Sequence, residues 1–420
     1  MSRLEDLSVS EALDLVLAQI GVLEAESVPL SDALGRILAD PVVARDDLPP
    51  FANSSMDGYA VRAADLAGAS KDSPVELRVL ADIAAGMDLA IEIQPGTSAR
   101  IMTGAPLPSG ADAVVPVEDT DEPWRGQDRS LPQSISIYRS VESGAFVRYP
   151  GEDIRAGMTV LQAGHLLRPQ EIGVLASLGI PRVHVIRRPR VGVLSTGDEL
   201  IDVEAPLSPG KIRNSNSYAQ AAQVLALGGV PVMLGVARDT EADIRAKLDK
   251  AVVEQVDLLI SSAGVSVGAY DKVKEVLNGS GNVAFWRVRM RPGKPLAFGT
   301  YRDIPYLGLP GNPVSAMVSF ETFVRPAILK LGGHSNFERP RIQAILLEDV
   351  RSDGRESYLR AVVTRDARGY VALTTGSQGS HILMSLVKAN ALLVVPEGVT
   401  EVAAGTPLTA LMLDWSGEIF

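Results

Sequence analysis

The chain has 420 residues and a mass of 44.5 kDa, too long for one ordinary hydrophobic core, and the usual allowance per domain suggests roughly three. Hydrophobic residues at 46% and charged residues at 22% support packed cores and disfavour disorder or coiled coil. The absence of cysteine excludes disulfides, iron–sulfur clusters and thiol nucleophiles, while 51 acidic against 40 basic residues give a net charge of −11 that on average repels nucleic acid and anionic membranes.

The N-terminus places Glu5 and Asp6 where a signal peptide would carry bases, and no apolar run reaches the roughly 18 residues of a membrane helix. A soluble cytoplasmic protein is expected. Ser8 and Glu11 form a capping-box pair ahead of a helix whose Leu13, Val16, Leu17 and Ile20 share a face, and Gly21 can end it. A second short helix is expected from Ser31. Pro49-Pro50 then breaks the chain. From Met56 to about Tyr149 the pattern is strand-like, with short runs at Pro74–Ala81, Ser98–Met102 and Ser134–Tyr138 and a polar loop over Asp119–Gln133. A helix with Pro at its first turn is expected over Pro169–Leu178.

The character changes over 189–331. Apolar runs at Val191–Leu194, Val230–Val236 and Leu258–Ile260 read as buried parallel strands, with helices over Tyr218–Leu227 and Ile244–Val253, the latter capped by Thr240. Strand alternating with helix implies a doubly wound, mostly parallel α/β sheet. After Leu331 the short runs Ile342–Leu347, Tyr358–Val363, Leu392–Val395 and Leu408–Met412 imply a small all-β C-terminal domain.

Ligands of such sheets sit beyond the carboxyl ends of the strands. Four loops lie there: Ser195–Glu199, Arg238–Thr240, Ser261–Gly268 with Asp271 beyond it, and Pro310–Ser315 after a strand at Tyr306–Leu309. The third and fourth are rich in Gly, Ser and Asn, and their backbone N–H groups suit phosphate or another oxyanion. Neither has the Gly-Lys-Ser/Thr ending of a Walker loop. Glu199, Asp239 and Asp271 each follow a different strand and can approach one crevice. Carboxylates without histidine or cysteine favour magnesium shared with a substrate phosphate, against the plainer reading of helix caps and a solvated loop. Arg287, Arg289 and Arg291 alternate and share a face if the segment is a strand. Lys294, in Arg291-Pro292-Gly293-Lys294-Pro295, sits in a compact turn that suits an anionic ligand. The four histidines, His165, His184, His334 and His381, show no partner pattern and read as structural or surface residues.

Met56-Asp57-Gly58-Tyr59-Ala60, Gly151-Glu152-Asp153-Ile154, Ala176–Ile180, Ser195-Thr196-Gly197-Asp198-Glu199-Leu200, Gly264–Gly268, Pro292-Gly293-Lys294-Pro295 and Leu309–Ser315 follow one another in an order that resembles the molybdopterin molybdenumtransferases of molybdenum-cofactor biosynthesis, the family that includes the E domain of gephyrin. The resemblance spans essentially the whole chain. It implies insertion of molybdate into adenylylated molybdopterin with release of AMP, assisted by Mg2+, in a homodimer. It also implies a discontinuous linking domain (1–46 and 150–187), a β-rich inserted domain (47–149), the α/β molybdopterin-binding domain (188–331) and a C-terminal β-barrel-like domain (332–420). Its catalytic acids fall on Asp57, Asp153, Glu199, Asp239 and Asp271, with Glu199, Asp239 and Asp271 as the metal ligands. Its substrate contacts fall on Ser262, Gly264, Ser266, Gly268, Lys294, Gly311, Asn312 and Ser315. Ala263 and Ala269 depart from the family's usual glycine and acid, which implies altered affinity. A molybdopterin adenylyltransferase, a catalytically altered paralogue and a gephyrin-like scaffold stand as alternatives.

Overall fold

The structure, a computed structural model, describes residues 5–87, 90–122, 130–262, 273, 275–277 and 281–414. The chain divides into two compact units, one bounded by 1–39, 166–168 and 183–420 and the other by 40–165 and 169–182.

The first unit is organised by a seven-stranded sheet. Its elements in chain order are β1 (Glu5–Leu7), α1 (Val9–Ala18), β2 (Arg190–Thr196), α2 (Ser215–Ala226), β3 (Val230–Ala237), α3 (Glu241–Val253), β4 (Leu258–Ser262), β5 (Gly281–Val288), β6 (Pro295–Tyr301), β7 (Ile304–Leu309) and α4 (Pro313–Ser319). The strand order is β1-β5-β6-β7-β4-β2-β3. Strands β3, β2, β4 and β7 pair in parallel, as the alternation of strand and helix implies. Strand β6 runs against both its neighbours. The cause is local: Arg302 and Asp303, with φ of +46° and +67°, make a two-residue hairpin between β6 and β7.

Packing on both faces explains why β2 is apolar throughout rather than alternating. Val191 and Val193 face a core shared with Val9, Ala12 and Val16 of α1 and Val314 and Val318 of α4. Leu194 faces the opposite core, with Leu234, Ile244 and Leu248. The Ser8–Glu11 capping box forms as its spacing requires, and α1 ends at Ala18, before Gly21. Helix α2 begins three residues earlier than apolar periodicity suggests, because Asn214 caps it and its first turn is polar. Thr240 caps α3, accepting from the Asp243 backbone. The short helix expected from Ser31 is a 3-10 turn at Leu30–Asp32.

Strand β5 hands over to the C-terminal part at Arg289. Met290–Arg291 pairs in parallel with Glu356–Ser357 of the strand Glu356–Asp366. That strand, Gly369–Thr374, Arg341–Leu346, Pro407–Met412 and Ala391–Val395 pair in a ring, a small closed barrel. Its interior holds Leu346, Ala361, Val363, Leu393 and Met412. Arg287, Arg289 and Arg291 alternate with the buried Trp286, Val288 and Met290. They do not act as one basic face, since Arg289 is taken up by Glu397 while Arg291 turns to the barrel edge.

The second unit carries a five-stranded sheet, in the order Ala113–Pro116, Gly58–Val61, Thr97–Ile101, Val75–Ile83 and Ser134–Ile137. Three of these are the runs that alternation predicts, shifted by one or two residues. The helix Pro169–Ser177 also belongs to this unit. No helix among the described residues is long and apolar enough to cross a membrane.

At Gly58, in the second strand of this order, a Cβ would lie 2.0 Å from the Val115 carbonyl oxygen. Gly58→Ala is expected to cost about 2–3 kcal/mol through forced strand separation, read as a lowered urea midpoint; an unchanged midpoint would show that the sheet can yield there.

Candidate active site

The carboxyl ends of β2 and β4 and the start of α2 are tied by buried hydroxyls. Ser195 Oγ lies 3.0 Å from Asn214 Oδ1, 2.7 Å from Ser217 Oγ and 2.8 Å from Ser262 Oγ. Asn214 donates to Ser217 Oγ at 3.0 Å and accepts the Ser217 backbone N–H at 3.3 Å. All four residues are buried. Each hydroxyl finds partners only if the others keep their places, so the knot fixes strand ends and helix cap as one body. Nearby, Ser261 and Tyr306 join β4 to β7 through hydroxyls 2.6 Å apart, and burial pushes the Tyr306 phenol up to about 12.

Above the knot lies a cavity of about 830 Å³. Thr196 and Glu199 from the β2 loop, Asn214 and Asn216 from α2, Ser262 from β4, and Gly311, Asn312 and Ser315 from the β7 loop line one part of it. Lys294, Arg291, Arg355, Gln378 and Ser380 line the part towards the barrel. Asn216 Nδ2 donates to the Gly311 carbonyl at 2.8 Å, and Asn312 Nδ2 donates to Ser380 Oγ at 3.1 Å, so the β7 loop is held from both sides. Among the described residues the charged lining is one carboxylate, Glu199, against Arg213, Arg291, Lys294 and Arg355. A positive cavity in a chain of net charge −11 is an electrostatic address for an anion.

Glycine at 197 has a specific reason. Its φ is +138°, and a Cβ there would lie 2.3 Å from Glu199 Oε2, so the carboxylate folds into space that only glycine leaves.

The expected site residues divide into groups. Glu199, Ser262, Lys294, Gly311, Asn312 and Ser315 come together at the cavity. Asp239 is not on its lining; its backbone N–H donates to Asp198 Oδ1 at 3.2 Å, which puts its loop beside that of Glu199. Gly264, Ser266, Gly268 and Asp271, with Ala263 and Ala269, lie outside the described residues. Asp57 and Asp153 belong to the second unit. Asp57 Oδ1 accepts the Thr103 backbone N–H at 2.7 Å and its hydroxyl at 2.9 Å, while Asp153 is exposed beside a hollow of about 240 Å³.

Among the described residues no three His, Asp or Glu side chains converge as a ready-made metal site. Magnesium needs less, since it keeps waters and binds through one or two carboxylates plus substrate phosphate. Glu199 on the cavity wall fits that donor set. Sequence reasoning missed Asn214, Arg213, Arg355, Gln378 and Ser380. The polar run Asn214-Ser215-Asn216-Ser217 is a helix-cap signal that would have found the first; the others carry no local signal.

Strand-end loops of a doubly wound sheet, a cationic cavity and hydroxyl-rich walls define an α/β protein with a crevice at the carboxyl edge of its sheet whose chemistry suits an anionic small molecule. Comparison with known proteins goes further. The family descriptions "MoeA N-terminal region (domain I and II)", "Probable molybdopterin binding domain" and "MoeA C-terminal region (domain IV)" match residues 7–179, 192–330 and 343–413. The chain is 42% identical over 408 residues to molybdopterin molybdenumtransferase 2 of Mycobacterium tuberculosis, covering 96% of this chain and 98% of that one. It is 41% identical over 397 residues to the molybdopterin molybdenumtransferase of Nostoc, covering 93% and 89%. The crystal structure of a molybdopterin biosynthesis MoeA protein from Pyrococcus horikoshii superposes with a TM-score of 0.81 at 31% identity, covering 98% of this chain and 100% of that one. The chain belongs to the molybdopterin molybdenumtransferase (MoeA) family of transferases.

Ser195→Ala removes the hub of the knot and leaves Asn214, Ser217 and Ser262 each short of a partner. A loss of about 1–3 kcal/mol is expected, measured by equilibrium urea unfolding; a loss below about 0.5 kcal/mol would mean that the knot is not cooperative.

Proposed function

We propose that the protein inserts molybdenum from molybdate into adenylylated molybdopterin and releases AMP. The observation that carries this reading is the cavity itself, where, among the described residues, four cations and one carboxylate meet hydroxyl and amide donors beyond the carboxyl ends of β2, β4 and β7. Its volume of about 830 Å³ suits a nucleotide-sized ligand. Both substrates are oxyanions, and charge-assisted donors hold such groups about twice as strongly as neutral ones.

Roles follow from placement. Lys294, exposed on a short turn whose carbonyl accepts the Val288 N–H at 2.8 Å, meets phosphate or molybdate oxygen as a point charge. Ser262, Asn312 and Ser315 orient the ligand by hydrogen bonding. Glu199, the acid that the described residues place on the wall, would hold magnesium, with Asp239 and Asp271 as further ligands in this reading. When bound, the ion neutralises charge on the phosphates as the bond to AMP breaks. The remaining residues act by fixing the phosphate groups in line and by stabilising the charge that gathers on the departing AMP oxygen.

The reading includes a homodimer in the cytoplasm, a division into four domains, and roles for Asp57 and Asp153. Sedimentation velocity is expected to give a species of twice the chain mass; a monomer at micromolar concentration would remove the dimer from the account. In the alternative reading, a molybdopterin adenylyltransferase, the protein would consume MgATP with free molybdopterin, and that assay is expected to be blank.

Incubation with adenylylated molybdopterin and molybdate should release AMP. Lys294→Ala should raise KM, and Glu199→Gln should lower kcat, each on the order of tenfold to a hundredfold. Wild-type protein that releases no AMP, or a Glu199→Gln variant with unchanged kcat, would contradict the assignment.

A further inference from the structure

Two arginines on the cavity wall share one carboxylate. Arg291 sits on the short strand that pairs in parallel with the barrel, opposite Ser357, and Arg355 immediately precedes that partner strand. Between them stands Asp353. Arg355 Nε lies 3.2 Å from both Asp353 oxygens, its Nη2 also bonds the carboxylate, and its Nη1 donates to the Met290 carbonyl at 3.0 Å. Arg291 Nη1 lies 3.7 Å from Asp353 Oδ2. Gly354, with φ of +85°, makes the tight turn that folds Arg355 back over Asp353. Asp353 itself is not among the cavity-lining residues.

Two neighbouring guanidiniums repel, and left alone they would splay. The shared carboxylate offsets that repulsion while leaving donors of both forks unused, since Arg291 makes one long contact with it. The Arg355 guanidinium, hydrogen-bonded to Asp353, holds that carboxyl below the usual aspartate range, with Arg291 adding a smaller effect. The carboxylate therefore stays ionised in the neutral range. All three side chains keep 31–46% of their surface exposed, so the group is open to a ligand.

We propose that Asp353 is a positioning residue, a carboxylate strap that sets Arg291 and Arg355 side by side so that both meet one phosphate of the nucleotide ligand. The inference rests on the reading of the cavity as a site for an adenylylated substrate, and its ligand class is the nucleotide monophosphate end of that substrate. Its signature is a sign. If Asp353 were only a negative charge near an anion site, removing the charge would tighten anion binding. If it positions the arginines, removing it loosens binding although the site becomes more positive, because two long side chains must then be ordered by the ligand itself.

The test is titration calorimetry of the full-length protein with AMP, with thermal melting as the folding check. Asp353→Asn is expected to raise the Kd for AMP at least fivefold, and Asp353→Glu to recover part of the loss. Asp366→Asn, which removes the same charge from an exposed Arg368 pair off the cavity lining, should leave Kd unchanged. In a background with both Arg291→Ala and Arg355→Ala, the Asp353→Asn change should bring no further rise in Kd. Unchanged or tighter AMP binding by Asp353→Asn overturns the proposal, as does a further fivefold loss in the background that lacks both arginines. Absence of AMP binding by the wild type overturns it as well. Should Asp353→Glu alone fold, a Kd equal to that of the wild type supports the strap, and a tighter one contradicts it. A protein that binds AMP as expected yet fails to release it from adenylylated molybdopterin would defeat the proposed function and leave the strap standing.

Discussion

The site depends on one constraint, the burial of four hydroxyl and amide side chains that satisfy one another. Ser195, Asn214, Ser217 and Ser262 sit where two parallel strands end and a helix begins. Unpaired polar groups at that depth are costly, so the four hold their mutual geometry against thermal motion. Because Ser262 and Asn214 also line the cavity, its floor inherits that rigidity. Thr196 and Glu199 follow Ser195 directly, and the glycine between them leaves room for the Glu199 carboxylate.

The barrel completes what the α/β sheet begins. Strand β5 ends at Val288, and the chain crosses to the barrel edge within two residues. That short crossing places Arg291 and Lys294 between the two parts, with Arg355 and Ser380 arriving from the barrel side. The sheet supplies most of the hydroxyl and amide donors with Glu199 and Arg213, the crossing supplies Arg291 and Lys294, and the barrel adds Arg355, Gln378 and Ser380. A cavity built this way favours an elongated anion with one uncharged polar portion and one strongly ionised portion, which is the chemistry of a pterin joined to phosphates.

The α/β sheet was legible in the sequence because strands buried on both faces leave continuous apolar runs, as at Val191–Leu194 and Leu258–Ile260. The reversal of β6 was not, because Arg302-Asp303, which takes positive φ at both residues, is not one of the pairs that usually signal a two-residue hairpin. Half of the cavity could be read from the rule that ligands sit at strand ends, which picked out Glu199, Ser262 and Asn312. Arg355 and Ser380 could not. They lie 40 or more residues beyond the last of those loops and reach the cavity only through the barrel's closure, a long-range pairing that leaves no trace in local periodicity. Arg287, Arg289 and Arg291 show the converse, since their spacing is regular while their partners differ.

An anionic pterin nucleotide is proposed to bind in the cavity above the Ser195 knot. A crystal structure of the protein with adenylylated molybdopterin addresses it directly. Phosphate density within hydrogen-bonding distance of Lys294 and the Pro310–Ser315 loop is the result the account predicts. Clear ligand density elsewhere, with this cavity holding only solvent, would contradict it.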